Sequence, residues 1–511
     1  MISGSILIAI VGYFVLLLGV AFYTSRNADS ESFFIGNRNS NWLLVAFGMI
    51  GTSLSGVTFV SVPGDVGKSG FTYFQLVLGY WIGYWVVAFV LLPLYYKLNL
   101  TSIYSFLGKR LGEKAHKIGA SFFILSRTVG ATARLYLVVS ILDVFVFSAF
   151  HIPFWLSAVV ILLLILLYTF QGGVKTIIIT DTLQTTGMLL GLVLCLYALV
   201  NALNTDMSGA WQLASENHLT QFWVTDVSKP GFFLKQILGG MFITITMTGL
   251  DQEMMQKNIS VKNLKDSQKN MMLMSAILVG VNVLFLLLGA VLHVYQAKNP
   301  VLLGSGAVAA GDDLFPALAL SEAFSGGLGI VFVIALISAL FPSVDGALTS
   351  LTSSFCIDIL NIQEAESDEV SRKRKRMQVH LAFTVLFLLM VFLFRYINDK
   401  SIIQFIIKFA GITYGPLLGL FAFGILTRRS VKEKWLWPAC LLGPIMTFVL
   451  DLLSNPAYYE QKLHLTLGLN GFSEVIFNGY KIGPELIVIN GLIVFAILRV
   501  FSSNTPNQKT G

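Results

Sequence analysis

Residues 47–64 read FGMIGTSLSGVTFVSVPG and lie inside an apolar segment long enough to cross a bilayer. Glycines and hydroxyl residues interrupt the stretch: Gly48, Gly51, Gly56, Gly64, Thr52, Ser53, Ser55, Thr58 and Ser61. Glycine weakens a helix, and unwound backbone inside a membrane is tolerated where it lines a cavity or is buried in protein. The pattern therefore predicts a discontinuous helix whose free oxygens bind a cation and a solute. A small-residue packing face between helices is the alternative interpretation.

The composition of the whole chain indicates a polytopic membrane protein. Of its 511 residues, 55% are hydrophobic and only 12% are charged, and the mean hydropathy is +0.76. A soluble domain carries about 25% charged residues. No Lys or Arg precedes the first apolar run, which favours a retained first helix over a cleaved signal peptide. We interpret Cys195, Cys356 and Cys440, all in apolar segments, as buried packing residues, because no metal-ligand spacing is present.

About thirteen apolar stretches have the length of a membrane span. They are roughly residues 3–24, 41–64, 70–97, 117–149, 153–171, 177–203, 231–256, 270–296, 322–360, 378–397, 401–426, 433–454 and 484–502. Every odd-numbered loop between them is richer in Lys and Arg than its neighbours. The positive-inside rule then predicts a multi-pass protein of the cell membrane with its N-terminus outside and its C-terminus in the cytoplasm.

The basic loops account for the net charge of +7, which therefore does not predict nucleic-acid binding. The loop after the seventh span is assigned four lysines: Lys257, Lys262, Lys265 and Lys269. The run Arg372–Arg376 after the ninth span is interpreted as a topology anchor. A site for lipid headgroups is the alternative for that run.

Residues 169–184 read TFQGGVKTIIITDTLQ, in which a Gly-Gly pair opens a helix that carries Thr180, Asp181 and Gln184. An FFIGNR element at 33–38, the interrupted second span, DQEMMQKN at 251–258 and a hydroxyl-rich ninth span ending in FCIDIL accompany it. In this order the motifs resemble the sodium:solute symporter family, which includes proline, sodium/glucose, sialate and iodide cotransporters. The resemblance covers nearly the whole chain.

That resemblance implies an all-α, LeuT-like fold with two inverted repeats of five helices. The predicted division of the single transmembrane domain at 1–511 is an N-terminal helix and loop at 1–40, a first repeat at 41–203, a second repeat at 231–426 and C-terminal helices at 433–502. The second repeat then has its own discontinuous helix at 231–256. Its LGGMFITITMTGLDQ stretch is again rich in glycine and hydroxyl residues.

The resemblance also places a sodium ion between the second and ninth spans. Carried onto this sequence, its ligands are the carbonyls of Gly51, Leu54 and Ala339 and the side chain of Ser343. The family has two adjacent hydroxyl residues where this chain has Pro342 and Ser343, so one hydroxyl ligand is missing. We expect Na+ as the coupling ion.

Asp345 lies two residues beyond Ser343, near the middle of a predicted span. A carboxylate at that depth costs roughly 2.5–3.5 kcal/mol on insertion scales and needs a partner or an ion. We predict that Asp345 replaces the lost ligand, directly or through a second cation held with Asp181 and Thr349. The alternatives are a structural pair with a buried arginine or backbone donor for Asp345, and a helix cap for Asp181.

Arg127 and Arg134 of the fourth span are seven residues apart and share a helix face. Arg127 is nearer the cytoplasmic end, from which its side chain can snorkel, whereas the deeper Arg134 needs a cavity or an acid. In the sialate-transporting branch that the chain resembles, a matching arginine holds the substrate carboxylate. The alternative is a structural ion pair of Arg134 with Asp345 or Asp181.

The same branch implies further substrate contacts in the second and third spans, and the seventh span adds two candidates. With Arg134, the predicted substrate site comprises Ser53, Ser55, Thr58, Phe71, Gln75, Thr244 and Met247. Phe71 and Gln75 are chosen because the branch has an aromatic residue and a Gln four positions apart. Thr244 and Met247 stand where the galactose-transporting branch has amide and aromatic groups, which weakens a sugar assignment.

We therefore predict a sodium-coupled symporter that imports a small polar solute by alternating access. An organic anion such as sialic acid is the first candidate, and a neutral sugar or polyol is the second. A channel or non-transporting sensor on the same fold is the alternative from another class. No nucleophile motif and no phosphate-binding loop occur, so no enzyme is predicted. The expected partners are sodium, the solute and the lipid bilayer.

Overall fold

The computed structural model describes residues 4–25, 36–299, 311–324, 327–362, 368–397, 402–463 and 468–503. The part of the FFIGNR element before Gly36 lies outside these residues. The α-helices of the described residues are α1 (Gly4–Ser25), α2 (Trp42–Ser53), α3 (Gly56–Ser69), α4 (Tyr73–Lys97), α5 (Ser105–Leu111), α6 (Glu113–Phe145), α7 (Phe154–Thr169), α8 (Thr176–Ala202), α9 (Met207–Glu216), α10 (Phe233–Gly249), α11 (Gln252–Ile259), α12 (Leu264–Lys298), α13 (Leu314–Ala319), α14 (Gly327–Ile359), α15 (Glu369–Ile397), α16 (Ile402–Thr413), α17 (Gly415–Leu426), α18 (Leu436–Ser454), α19 (Pro456–Leu463), α20 (Asn470–Phe477) and α21 (Leu486–Val500).

Strands play a minor part in the described residues. Ser430–Val431 (β1) and Ser502–Ser503 (β2) form a two-residue antiparallel pair that ties the chain after α17 to the end of α21. Single turns of 3-10 helix are Gly36–Arg38, Phe147–Phe150, Gly311–Asp313, Glu322–Phe324 and Glu433–Trp435. Turns of π-helix widen α4 at Val87–Leu91, α10 at Ile245–Gly249 and α14 at Phe355–Ile359.

The helices have the lengths and the apolar character of a polytopic membrane protein. Eight of the described helices are long and apolar enough to cross a membrane, three bent pairs pass the same test together, and α7 and α21 are shorter apolar helices. Each of the thirteen predicted spans overlaps one of these helices or pairs. The all-α polytopic fold is confirmed, whereas the number of crossings and the inverted repeat stay predictions.

The stretch 47–64 is interrupted, as predicted. Helices α2 and α3 meet at Leu54 and Ser55 with a bend of 53°. The small residues also serve close packing, since a Cβ atom on Gly51 would lie 2.2 Å from Oγ1 of Thr185 and one on Gly56 would lie 2.6 Å from a methyl of Val138. Both interpretations of the stretch therefore hold at once, the break at its centre and the packing face on either side.

The second predicted discontinuous helix is bent by 63° between α10 and α11. Asp251 ends the break by accepting hydrogen bonds from the backbone N–H groups of Glu253 and Met254, which caps the start of α11. A third bend of 42°, at Tyr414 between α16 and α17, falls within the stretch 401–426 that was predicted as one plain span. Pro416 in the first turn of α17 is its sequence signal.

Packing between distant helices places the first break at the centre of the molecule. Helix α14 lies along α8, and α2 packs against both. Helix α10 lies along α4. The central part of α14, residues 332–354, is almost wholly buried. The break of α2–α3 therefore faces the polar part of α14 on one side and the helices α4 and α10 on the other.

Candidate functional site

A cavity of about 1020 Å³, including the space at its mouth, lies beside the first break. Residues of α2, α3, α4, α6, α10, α12 and α16 line it. Seven of the predicted residues are among them: Ser53, Leu54, Ser55, Thr58, Arg134, Thr244 and Met247. The structure therefore brings together groups from residues 53 to 247 in one concave site of the size that small-molecule sites have.

Phe71 and Gln75 are not brought to this cavity. Phe71 is buried against the rings of Trp211 and Phe222, with centroid separations of 5.8 and 5.4 Å. The side chain of Gln75 donates hydrogen bonds to Thr72 O and Gly231 O and accepts one from Val224 N. Both side chains therefore pack against the loop before α10 and not against the cavity. They fix the start of α4 to that loop.

The aromatic wall of the cavity comes instead from the next turns of α4. The side chains that line it are Tyr73, Val77, Tyr80, Trp81 and Tyr84. Their spacing of three, four and seven residues is that of one helix face, which is a signal that sequence reasoning missed. Tyr84 Oη donates to Ser53 Oγ at 3.4 Å, so this wall contacts the break directly.

Two carbonyls at the break have lost their helical partners. Among the described residues, no backbone hydrogen bond runs from Ser55 N to Gly51 O or from Thr58 N to Leu54 O. Leu54 itself has φ −93° and ψ 80°, outside the helical region. Free carbonyl oxygens of this kind are what a hard cation coordinates inside a membrane protein.

Helix α14 faces the same break. Thr52 Oγ1 donates to Pro342 O at 3.3 Å, and a Cβ on Gly51 would lie 3.2 Å from Cγ of Pro342. Ala339 and Ser343 are fully buried, and Ser343 Oγ donates to Leu340 O at 2.7 Å. Carbonyls of the break and the hydroxyl of Ser343 make a donor set of oxygens that fits sodium. Pro342 on α14 supplies no second hydroxyl.

The two predicted carboxylate ligands have protein partners. Asp345 accepts hydrogen bonds from Tyr168 Oη at 2.8 Å and from Gly346 N at 2.5 Å. Asp181 Oδ2 lies 2.6 Å from Nζ of Lys257. Thr349 Oγ1 has no hydrogen-bond partner in the described part of the chain. Asp345 therefore has a backbone donor, which is one of the alternatives predicted for it, and no arginine partner in the described part of the chain. Asp181 lies inside α8 and pairs with Lys257, so its predicted helix-cap role is not found.

Lys257 is the functional candidate that sequence reasoning missed. It was assigned to the cytoplasmic loop after the seventh span, but its side chain is only 3% exposed and lies inside the helix bundle. Its Nζ donates to Thr52 Oγ1 and to Asp181 Oδ2, each at 2.6 Å. The signal was present in DQEMMQKN, where Glu253 and Lys257 are four residues apart and face each other across 3.7 Å.

The two arginines of α6 differ in their partners. Arg127, which was expected to snorkel, is 4% exposed and forms an ion pair with Glu253, and its Nη1 lies 3.9 Å from Oδ2 of Asp251. Arg134 lines the cavity, and its buried Nη1 has no hydrogen-bond partner among the described residues. Asp181 and Asp345, proposed as its structural partners, are engaged elsewhere.

The sequence model of the sodium:solute symporter family matches residues 33–441. The chain belongs to the sodium:solute symporter family. It is 26% identical over 494 residues to the sodium/sialic acid symporter NanT of Aliivibrio fischeri, covering 93% of this chain and 92% of that one. It is 25% identical over 428 residues to the sodium/sialic acid symporter SiaT of Proteus mirabilis, covering 81% and 83%.

A solved structure of a Na+-coupled sialic acid symporter, in a substrate-bound outward-open state, has the same fold. It superposes with a TM-score of 0.79 at 21% identity, covering 98% of each chain. The nucleobase-cation symporter Mhp1 superposes with a TM-score of 0.54 at 13% identity, covering 93% of this chain and 95% of the other. The protein is thus a sodium-coupled symporter with the multi-pass architecture of secondary transporters.

The symporter has a second, wider cavity next to the first. It encloses about 1400 Å³, again including open space, and shares Tyr73, Ile403 and Ile407 with the first cavity. Lys408 and Asp451 form an ion pair of 2.9 Å in its wall. Ile482, Gly483 and Pro484 of the loop before α21 also line this second cavity, which is called the vestibule below.

The second break, between α10 and α11, is surrounded by side-chain contacts. Three tyrosine hydroxyls donate hydrogen bonds to acceptors at this break. Tyr95 Oη donates to Gly249 O at 2.7 Å and Tyr104 Oη donates to Leu250 O at 3.1 Å. Tyr414 Oη donates to Oδ2 of Asp251 at 2.8 Å. The ion pair of Arg127 with Glu253 lies beside them. The second break is therefore held by side-chain contacts from α4 and α6 and from the residues directly before α5 and α17.

Proposed function

We propose that this symporter imports a carboxylate-bearing sugar of the sialic acid type together with sodium. The observation that carries the proposal is the guanidinium of Arg134, which lines the cavity with a buried Nη1 that no described residue pairs with. A buried guanidinium without an acid is unfavourable unless a ligand supplies the negative charge. A carboxylate matches it in charge and in bidentate geometry.

The rest of the cavity suits the remainder of such a solute. Hydroxyls of Ser53, Ser55 and Thr58 approach from the break, and Thr244 approaches from α10. The aromatic face of α4 covers the apolar side of a sugar ring. That the similar symporters of Aliivibrio fischeri and Proteus mirabilis carry sialic acid supports the same class of solute here.

Sodium would be held between the break and α14. We assign it the free carbonyls of Gly51 and Leu54, the carbonyl of Ala339 and the hydroxyl of Ser343. An ion there joins α2 to α14, and Ser53 and Ser55 next to its ligands face the solute. Each ligand then stabilises the conformation that the other one binds, which is the coupling that symport needs.

We further propose the orientation and internal symmetry that the sequence predicts. The vestibule and α9 face the outside, the second break faces the cytoplasm, and the N-terminus is outside with the C-terminus inside. Inverted repeats at 41–203 and 231–426 would each begin near one discontinuous helix. Transport, rather than catalysis, is the activity of such an arrangement.

A neutral sugar is the second candidate, because the cavity combines aromatic rings with hydroxyl groups. The two candidates differ in the carboxylate alone. Purified protein in liposomes should concentrate radiolabelled N-acetylneuraminate under an inward sodium gradient and not under an equal potassium gradient. N-acetylmannosamine, a related sugar without the carboxylate, should neither accumulate nor compete. Equal transport of both sugars would favour the second candidate, and uptake indifferent to sodium would contradict the proposed symport.

A further inference from the structure

The ammonium of Lys257 occupies a position where an inorganic cation would have suitable ligands. Its Nζ is 2.6 Å from Oδ2 of Asp181 on α8 and 2.6 Å from Oγ1 of Thr52 on α2. Oε1 of Glu253 is 3.7 Å away. The side chain is 3% exposed, so solvent does not compete for these contacts. A hydroxyl and carboxylate oxygens around one positive charge form the kind of ligand set that binds a monovalent ion.

Helix α14 leaves space for this ammonium. A Cβ atom on Gly346 would lie 3.2 Å from Nζ of Lys257 and 2.3 Å from Oε1 of Glu253, so a larger residue would crowd both groups. Asp345, its neighbour in sequence, accepts hydrogen bonds from Tyr168 Oη and Gly346 N. Lys257 is therefore the cationic partner of Asp181, one of the two carboxylates that the sequence assigned to a second sodium ion.

We infer that Lys257 replaces a second coupling sodium, so that one sodium ion accompanies each solute molecule. The inference rests on the sodium-coupled function proposed above and specifies its stoichiometry. A sodium ion at Asp181 would have to sit beside the ammonium, and two unit charges a few ångströms apart in a buried site repel strongly. Oδ1 of Asp181 has no hydrogen-bond partner among the described residues and remains open to a neutral ligand such as water.

Lys257 also connects the elements that must move. It belongs to α11, the inner half of the second discontinuous helix, and its contacts are on α2 and α8. A sodium ion leaves such a site when the inner side opens, but a lysine stays attached to its helix. Asp181 thus keeps a cationic partner through the cycle without a second ion from outside.

The test is a count of sodium ions in wild type, Lys257→Met and the double variant Lys257→Met/Asp181→Asn. Bound ²²Na+ is counted on purified protein in detergent, and the ratio of ²²Na+ to labelled sialic acid is measured in liposomes. The inference predicts one ion for wild type and two for Lys257→Met, because Asp181 then lacks its cation. The double variant, without either charge, should return to one.

Two bound ions in wild type would overturn the inference, and so would a single ion in a folded Lys257→Met protein. If that variant does not fold, the wild-type count still decides. Absence of any sodium binding in wild type would instead defeat the proposed symport function. A purely structural ion pair predicts a lower melting temperature in Lys257→Met that sodium does not restore, whereas the inference predicts that sodium chloride raises it more than in wild type.

Discussion

Arg127 and Arg134 lie seven residues apart on one face of α6 and have opposite surroundings. Both line the cavity, but Arg127 has Glu253 of α11 and the capping residue Asp251 as its acidic neighbours. Arg134 lines the open cavity with Nη1 unpaired among the described residues. The residue type and the helix are the same, so the difference lies in the partner. A buried cation with its own carboxylate stabilises the fold, and one without a carboxylate is available to a ligand.

The two discontinuous helices repeat the same contrast. The second break has the carbonyls of Gly249 and Leu250 and the capping residue Asp251 bonded to tyrosine hydroxyls. The first break has Gly51 and Leu54 carbonyls without helical partners among the described residues. Freed backbone groups that the protein satisfies stabilise a bend, and those that it leaves open make a binding site.

The largest effect is expected at Arg127 and concerns the stability of the fold. Arg127→Met leaves Glu253 buried and without its arginine, which costs about 3–5 kcal/mol of the free energy of unfolding. Melting temperature in detergent measures the loss. The control is Arg127→Met/Glu253→Gln, which removes both charges and should recover most of it. If Arg127→Met were as stable as wild type, the ion pair of Arg127 with Glu253 would not stabilise the contact between α6 and α11.

The second effect concerns binding instead of stability. Arg134→Met should weaken sialic acid binding by about 2–5 kcal/mol, at least roughly 30-fold, since it removes the partner of the carboxylate. Its melting temperature should match that of wild type. Arg134→Lys keeps the charge but not the two-pronged geometry and should bind with intermediate affinity. If Arg134→Met bound a carboxylate solute with normal affinity, Arg134 would not be the partner of that carboxylate.

A smaller effect is expected at the neutral ligands of the first break. Ser343→Ala removes one predicted sodium ligand and should weaken sodium binding by about 1–3 kcal/mol, or roughly 5- to 150-fold. Ser350→Ala is the matched control, because that buried hydroxyl also donates to a carbonyl three residues earlier on α14. The sodium dependence of the melting temperature separates them. Equal sodium affinity of both variants would remove Ser343 from the site.

The smallest effect is expected at the aromatic wall. Tyr84→Phe removes a hydroxyl that donates to Ser53 Oγ at 3.4 Å, which is a long and neutral hydrogen bond. Its contribution to solute affinity should be below about 1 kcal/mol, less than roughly fivefold. Titration calorimetry with sialic acid measures it. A loss as large as that in Arg134→Met would show that the hydroxyl, and not only the charge, decides recognition.

Much of this arrangement could be predicted, because local patterns determine it. Glycines and hydroxyls predicted the first break, and the depth of Arg134 in an apolar helix predicted a cavity or an acid. Lys257 could not be placed correctly, since its partners Asp181 and Thr52 are distant in sequence and a count of loop charges treats all lysines alike. Phe71 and Gln75 were misplaced because the face of α4 that meets the cavity depends on how α10 packs against it.

The central claim is that sodium at the first break organises the solute cavity. Titration calorimetry of sialic acid into purified protein, in sodium chloride and in potassium chloride of equal ionic strength, tests it directly. We expect tight binding in sodium, much weaker binding in potassium, and a loss of this difference in Ser343→Ala. Equal affinity for sialic acid in the two salts would contradict it.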